Sequence, residues 1–209
     1  LQELGSTAFS YCGKLTELEL PASLITIGDN AFNYCRTLSK VTISEGTKLI
    51  GHQAFRLCKK LVSVQIPSSV DSIGRDAFRD CSALTVVDLP DEGLLSIGDG
   101  AFCNCASLTS VILPRTVTEI GAYAFSQNPL LTTVPLPKDL KQIGDFAFSG
   151  CKVLGETDLP DGIEKIGKGC FKECLALTKV LIPASVQQLS EGVWSQCSNL
   201  ERVDMQAAL

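Results

Sequence analysis

Little in this chain of 209 residues is equipped for chemistry. It has one histidine, His52, and no cysteine shares the repeat column in which that histidine stands. A Cys-His nucleophile pair, whose base must reach the thiol within hydrogen-bond distance, is therefore not expected. The ten cysteines include no CxxC-like cluster that would gather thiolates around a metal. No phosphate-cradling glycine motif and no Asn-x-Ser/Thr sequon occurs. Lys and Arg (18) are outnumbered by Asp and Glu (23). The net charge of -5 and pI near 4.9 argue against general nucleic-acid binding, which needs excess cations to displace counterions. No apolar run approaches the ~18 residues of a membrane span, and no signal-peptide pattern opens the chain. Linkers, low-complexity tracts and composition shifts are missing too, so one domain is expected over residues 1–209. The chain opens on Leu1 and ends in Ala207, Ala208 and Leu209, without an initiator Met, and reads as a fragment of something longer.

What is present is a repeat. The phrase Ile-Gly-x-x-Ala-Phe begins at Ile27, Ile50, Ile73, Ile97, Ile120 and Ile143, with relatives at Leu4, Ile166 and Leu189. The spacing is 23 residues except from Ile73 to Ile97, where it is 24; the extra residue lies in Asp91-Glu92-Gly93-Leu94-Leu95. Nine coils account for nearly every residue. Behind each Phe comes x-x-Cys-x-x-Leu-x-x-Val-x-Leu/Ile-Pro, as in Cys58, Leu61, Val64, Ile66 and Pro67. Apolar residues alternating with polar ones predict strands with one buried face near 16–20, 39–43, 62–66, 85–89, 109–113, 132–136, 155–159, 178–182 and 201–205. The proline that follows cannot donate to a ladder and ends each strand; coil 2 has Ser44 there. The glycine after Ile suits a positive φ or a close approach, and the Ala-Phe pair fits a short helical turn. Twenty-three residues cannot bury their own apolar face, so coils must stack on one another. At ~4.8 Å per coil, nine coils make a rod roughly 43 Å long with one parallel sheet along one side.

The pattern Cys-x-x-Leu-x-x-Val-x-Ile-Pro-x-x-Val-x-x-Ile-Gly-x-x-Ala-Phe resembles the BspA-like, or treponemal-type, leucine-rich repeat, and the resemblance covers essentially the whole chain. It implies a right-handed leucine-rich-repeat solenoid with the parallel sheet on its concave side. It also implies surface or secreted proteins of bacteria and protists that take part in adhesion.

Eight cysteines share one column: Cys12, Cys35, Cys58, Cys81, Cys105, Cys151, Cys174 and Cys197, with Asn128 in coil 6. Cys exchanging with Asn predicts a small buried side chain that donates a hydrogen bond to a loop carbonyl. Parallel side chains in a ladder keep Cβ atoms too far apart for disulfides, so reduced structural thiols are expected. Cys170, in place of the Ala of Ala-Phe, is expected to be buried as well. Cys103 falls in a variable column and is expected to be the exposed thiol. His52 is expected on the surface, and paired acids such as Glu17 and Glu19 lie on an open face with nothing to exclude water. No catalytic residue, cofactor or metal is expected.

The residues flanking the buried Val point away from the core. Across coils 4 to 7 they are Val86, Asp88, Ser110, Ile112, Thr133, Pro135, Glu156 and Asp158. Val86, Ile112 and Pro135 make an apolar middle with charged ends, a pattern suited to a protein or glycan ligand; β-branched residues that merely suit a sheet surface are the plainer reading. Arg36, Arg56, Lys59, Lys60, Arg75 and Arg79 concentrate positive charge in coils 2 to 4, partly offset by Asp76 and Asp80. Tyr11 and Tyr34 share a column, as do Tyr123 and Phe146, and are expected to stack and stabilise the rod. The sequence thus predicts a non-catalytic adhesion or recognition module with a protein or glycan partner. An architectural spacer in a larger surface protein is the alternative. The free cysteines fit a reducing cytoplasm, whereas the resemblance favours the cell surface.

Overall fold

A computed structural model describes residues 1–206 as a solenoid of nine turns built from short parallel strands and turns, without helices among the described residues. The expected strands are present at Glu17–Glu19, Lys40–Thr42, Ser63–Gln65, Val86–Asp88, Ser110–Val111, Lys179–Ile182 and Arg202–Met205. Their pairing is parallel and in register: Ser63 lies opposite Val86, and Val86 opposite Ser110. Coils 6 and 7 differ from expectation, because Thr133 and Glu156 form only isolated bridges where strands at 132–136 and 155–159 were expected. Pro135 has no N–H to give, and coil 7 places Gly155 where most other coils carry Thr or Val.

The one sheet expected from these strands is divided into three, Glu17–Glu19 with Lys40–Thr42, Ser63–Gln65 with Val86–Asp88 and Ser110–Val111, and Lys179–Ile182 with Arg202–Met205, and a longer continuous sheet stands beside them. Two-residue strands Glu3–Leu4, Thr26–Ile27, Leu49–Ile50, Ser72–Ile73, Ser96–Ile97, Glu119–Ile120, Gln142–Ile143 and Lys165–Ile166 pair in chain order into eight parallel strands. Register places each Ile on the next, as Ile27 on Ile50 and Ile50 on Ile73. The glycines that follow serve close approach. A Cβ on Gly74 would lie 2.7 Å from the Gly51 carbonyl carbon, and one on Gly98 would lie 2.7 Å from the Ile73 oxygen. In the ninth coil Ser190 stands there instead, its hydroxyl donating to the Ile166 carbonyl at 2.6 Å.

The Ala-Phe segment is not a helical turn. Two residues per coil take the left-handed conformation, such as Asn30 (φ 56°) and Tyr34 (φ 66°), or Gln53 (55°) and Leu57 (62°). This alternates the direction of the N–H groups. Asn30, Phe32 and Tyr34 donate to the next coil's His52, Ala54 and Arg56 carbonyls at 2.8 Å, while Ala31 and Asn33 bond within their own turn. A helix would keep those donors inside one coil and leave the neighbour's carbonyls unpaired. Each left-handed non-glycine residue costs about 1 kcal/mol or more, a cost offset by bonds repeated at every coil.

Inside, the phenylalanines stack. Phe32, Phe55, Phe78, Phe102, Phe125, Phe148 and Phe171 are fully buried. Rings from Phe9 to Phe171 lie 5.2–5.5 Å apart and within 12° of parallel, and Trp194 closes the file at 6.2 Å. Phe9, with no ring before it, is 42% exposed. Tyr123 and Phe146 stack as expected at 5.2 Å, whereas Tyr11 and Tyr34 meet at 4.7 Å with their rings tilted by 36°. Removing a ring from the middle of the file opens a cavity between two neighbours. Phe102→Ala is therefore expected to cost about 3–5 kcal/mol and Phe9→Ala clearly less, as read from urea unfolding. Equal costs would show that the file is not the core's organising contact.

Candidate functional site

Thiols were the first candidates for chemistry, and their geometry makes them structural. All ten are unpaired. In the shared column each Sγ donates to the Phe carbonyl of the coil before it: Cys35 to Phe9 (3.1 Å), Cys81 to Phe55 (3.2 Å), Cys105 to Phe78 (3.2 Å) and Cys197 to Phe171 (3.1 Å). Asn128 does the same with its amide, to Phe102 at 3.0 Å and Phe125 at 2.8 Å, so the Cys-for-Asn exchange preserves one hydrogen bond. Burial pushes these thiols up, Cys151 to about 12, and Cys58, Cys81, Cys105 and Cys174 likewise. Desolvation penalises the thiolate, which removes the nucleophile. Cys170 is buried as expected. Cys103 is not the exposed thiol that its variable column suggested: it is 6% exposed. The small side chains of that column in coils 5 to 7 are buried, Ser126 and Ser149 as well as Cys103, whereas its longer ones reach partway into solvent.

A thiol reagent is accordingly expected to modify Cys12 and Cys197 first, since the two end coils leave them half-buried. Cys103 should react only with the rest of the column after denaturation, and early modification of Cys103 would contradict its burial. The raised values also set a pH dependence. Cys58, Cys81, Cys105, Cys151 and Cys174 are harder to ionise folded than unfolded, so the associated stability is complete below the unfolded value near 8.5 and is lost as pH climbs towards the folded values. The urea midpoint should hold from pH 6 to 8 and fall by pH 10; a midpoint unchanged at pH 10 would refute the linkage.

The remaining charged features are mostly committed to the rod. His52 is exposed, as expected, and serves its neighbour: its Nδ1 accepts from the Arg75 N–H at 2.9 Å, as the Asp29 carboxylate accepts from the His52 N–H at 2.8 Å. Asp99 and Asp145 repeat this bond to Ala122 and Lys168. On the basic flank, the nearly buried Asp76 takes Arg79 at 3.1 Å and Arg75 at 3.4 Å. Asp80 lies 3.8 Å from both Arg56 and Arg79. Arg36 sits over the Tyr34 ring, 4.0 Å from its centroid. Lys59 and Lys60 extend from this flank into solvent.

The eight outward residues singled out from the sequence all lie exposed on one face. Val86, Ser110, Thr133 and Glu156 are consecutive partners across coils 4 to 7, and Asp88, Ile112, Pro135 and Asp158 run parallel two residues on. Val86 is 51% and Ile112 75% exposed, high for branched apolar side chains. Asp88 and Ile112 also line a groove of about 720 Å³ at the proline end of coils 3 to 5, with Pro67, Leu89, Pro90 and Pro114; Val86, Ser110, Thr133, Pro135, Glu156 and Asp158 lie outside it. Its wall also includes the charged residues Glu45, Asp91, Glu92 and Arg115, which the sequence pattern did not place there. The available signal was the single 24-residue spacing. In coil 4 the turn opened by the proline carbonyl elsewhere, as from Pro67 to Val70 at 3.1 Å, gives way to a bulge at Gly93 (φ 97°) that lies on the Ser68 carbonyl. A second, shallow groove of about 700 Å³ runs along the eight-stranded sheet over the glycine column, from Leu49 and His52 to Lys165. Arg75 and Lys165 there oppose Asp99, Glu119 and Asp145, so it carries no dominant charge.

No group of three or more His, Cys, Asp or Glu among the described residues could hold a metal ion, and no helix is long and apolar enough to cross a membrane. No curated protein matches the chain. Among solved structures it resembles a leucine-rich repeat protein from Bacteroides ovatus, with a TM-score of 0.79 and 28% identity over 99% of this chain. It spans 59% of that protein. It also resembles the pneumococcal vaccine antigen PcpA (TM-score 0.66, 25% identity, 100% of this chain and 61% of that one). The fold alone is shared with a leucine-rich cell surface protein from Faecalibacterium prausnitzii (TM-score 0.61, 24% identity, 100% of this chain and 70% of that one). The sequence model of the BspA type leucine rich repeat region matches residues 2–132 and 118–209, and the chain belongs to that family.

Proposed function

We propose that this chain is a non-catalytic binding module of a cell-surface protein, engaging a protein or glycan through the exposed face of its Val-column strands. One observation carries the reading: Val86 and Ile112 stand 51% and 75% exposed in neighbouring coils, on a face whose backbone is held by the ladder. Several other outward positions are engaged in holding coils together, as Asp29, His52 and Asp99 show. An apolar centre gains from desolvation, and Asp88, Glu156 and Asp158 at its edge would orient a partner. The surface assignment is supported by the family and by the pneumococcal relative, a vaccine antigen. The net charge of -5 argues against a nucleic-acid partner.

Binding is tested by presenting the chain to immobilised extracellular-matrix proteins and to a glycan array. Ile112→Lys and Val86→Lys variants with unchanged melting are then compared with the parent. If Ile112 is an anchor, its replacement should weaken binding by ~1–3 kcal/mol, that is by roughly 5- to 150-fold. Unchanged affinity in both variants would move the site to another face. Absence of any ligand would favour the spacer role.

A further inference from the structure

We infer that the groove at the proline end of coils 3 to 5 is a pocket for a lysine or arginine side chain presented by a partner protein. This deepens the binding role proposed above and rests on it, because Ile112 and Asp88 belong to both surfaces. The groove's apolar surface is Ile112 with the half-buried Leu89 and Pro90, and its volume of about 720 Å³ is that of a side-chain and ligand pocket. Its charge is one-sided: Glu45, Asp88, Asp91 and Glu92 against Arg115 alone. Two of those carboxylates are already occupied. Glu45 accepts the Ser68 and Ser69 N–H groups at 3.1 and 3.2 Å, which hold its carboxyl below the usual range. Glu92 pairs with Arg115. Asp88 and Asp91 are exposed, and their carboxylates have no salt-bridge or hydrogen-bond partner among the described residues, so two open carboxylates border an aliphatic surface. The side chain that matches both is an alkyl stem tipped by a cation.

The wall that makes the groove is the place where the repeat breaks its period. The added residue of coil 4 pushes out the Asp91 to Leu95 bulge. A side chain at Gly93 would collide with the Ser68 carbonyl, so the bulge is seated on coil 3. The turn of coil 2 is seated in a similar way, Gly46 (φ 106°) lying on the Ala22 carbonyl, and it supplies Glu45 to the same groove; only coil 4 adds a residue. Anionic glycans and acidic segments are repelled here by like charge, and a neutral sugar would cover Asp88 and Asp91 without replacing their water by a cation.

The test uses the whole chain, 15N-labelled, and two probes: the peptide acetyl-Gly-Leu-Lys-Leu-Gly-amide and the same peptide with Nε-acetyllysine. The lysine peptide should move the amide signals of Gln65, Asp88 and Ile112 saturably. The acetylated peptide should bind at least about tenfold more weakly, the size of one charge-assisted hydrogen bond. In the Asp88→Asn/Asp91→Asn double variant, affinity for the lysine peptide should drop by about the same factor and lose its salt dependence, with melting unchanged. Equal affinity for the two peptides, no saturable shift at the groove, or an unaffected double variant would each overturn the pocket. A partner or neutral oligosaccharide that is lost on Ile112→Lys but indifferent to Asp88→Asn/Asp91→Asn would also overturn it, while leaving the strand face as the binding surface.

Discussion

No coil of this protein can close a core around itself; each is covered by the next. That requirement explains the interior. A side chain that must lie on its own copy one coil away does so best when flat and parallel, as the phenylalanine file does at 5.2–5.5 Å. The backbone follows the same spacing, which leaves the glycine after each Ile no room for a Cβ. It also turns alternate N–H groups outward through left-handed residues. The cysteine column answers the same demand, supplying a compact donor to the preceding Phe carbonyl at nearly every coil.

A structure that stacks identical contacts spends most of its sequence on stacking. Residues that look chemical in isolation prove to be fasteners: His52 accepts a backbone N–H, Asp76 holds two arginines, and the thiols are too buried to ionise near neutrality. A smaller set of positions is released from the ladder. These are the strand residues either side of the buried Val, and the bulge where coil 4 departs from the common length. The two meet at Ile112 and Asp88, which places the broken period and the apolar centre of the strand face in one neighbourhood.

The repeat, the buried columns, the thiol hydrogen bond and the outward set from Val86 to Asp158 were legible in the sequence, because each is a periodic pattern sampled nine times. The eight-stranded sheet was not. Its strands are two residues long, too short to show alternation, and only register between coils reveals them. Cys103 misled for a related reason: its column is variable in type, yet its small side chains in coils 5 to 7, Cys103, Ser126 and Ser149, are all buried between coils. The strands expected at 132–136 and 155–159 shrank to single bridges at Thr133 and Glu156, since Pro135 withholds a donor from the ladder.

What the sequence by itself determined is the spacing: nine coils, one file of aromatic rings, one column of small donors, and an outward row free to vary. Local chemistry and period suffice for these, because each coil meets only its near copies. What only the tertiary structure decided is adjacency across that spacing. It brings Asp91 and Glu92 from the long turn beside Ile112 and Pro114 of the next coil and Pro67 of the one before, and leaves Asp88 and Asp91 without a cation. Residues more than twenty positions apart share a groove because stacking turns one repeat of sequence into one step along the rod, a relation that no single coil contains.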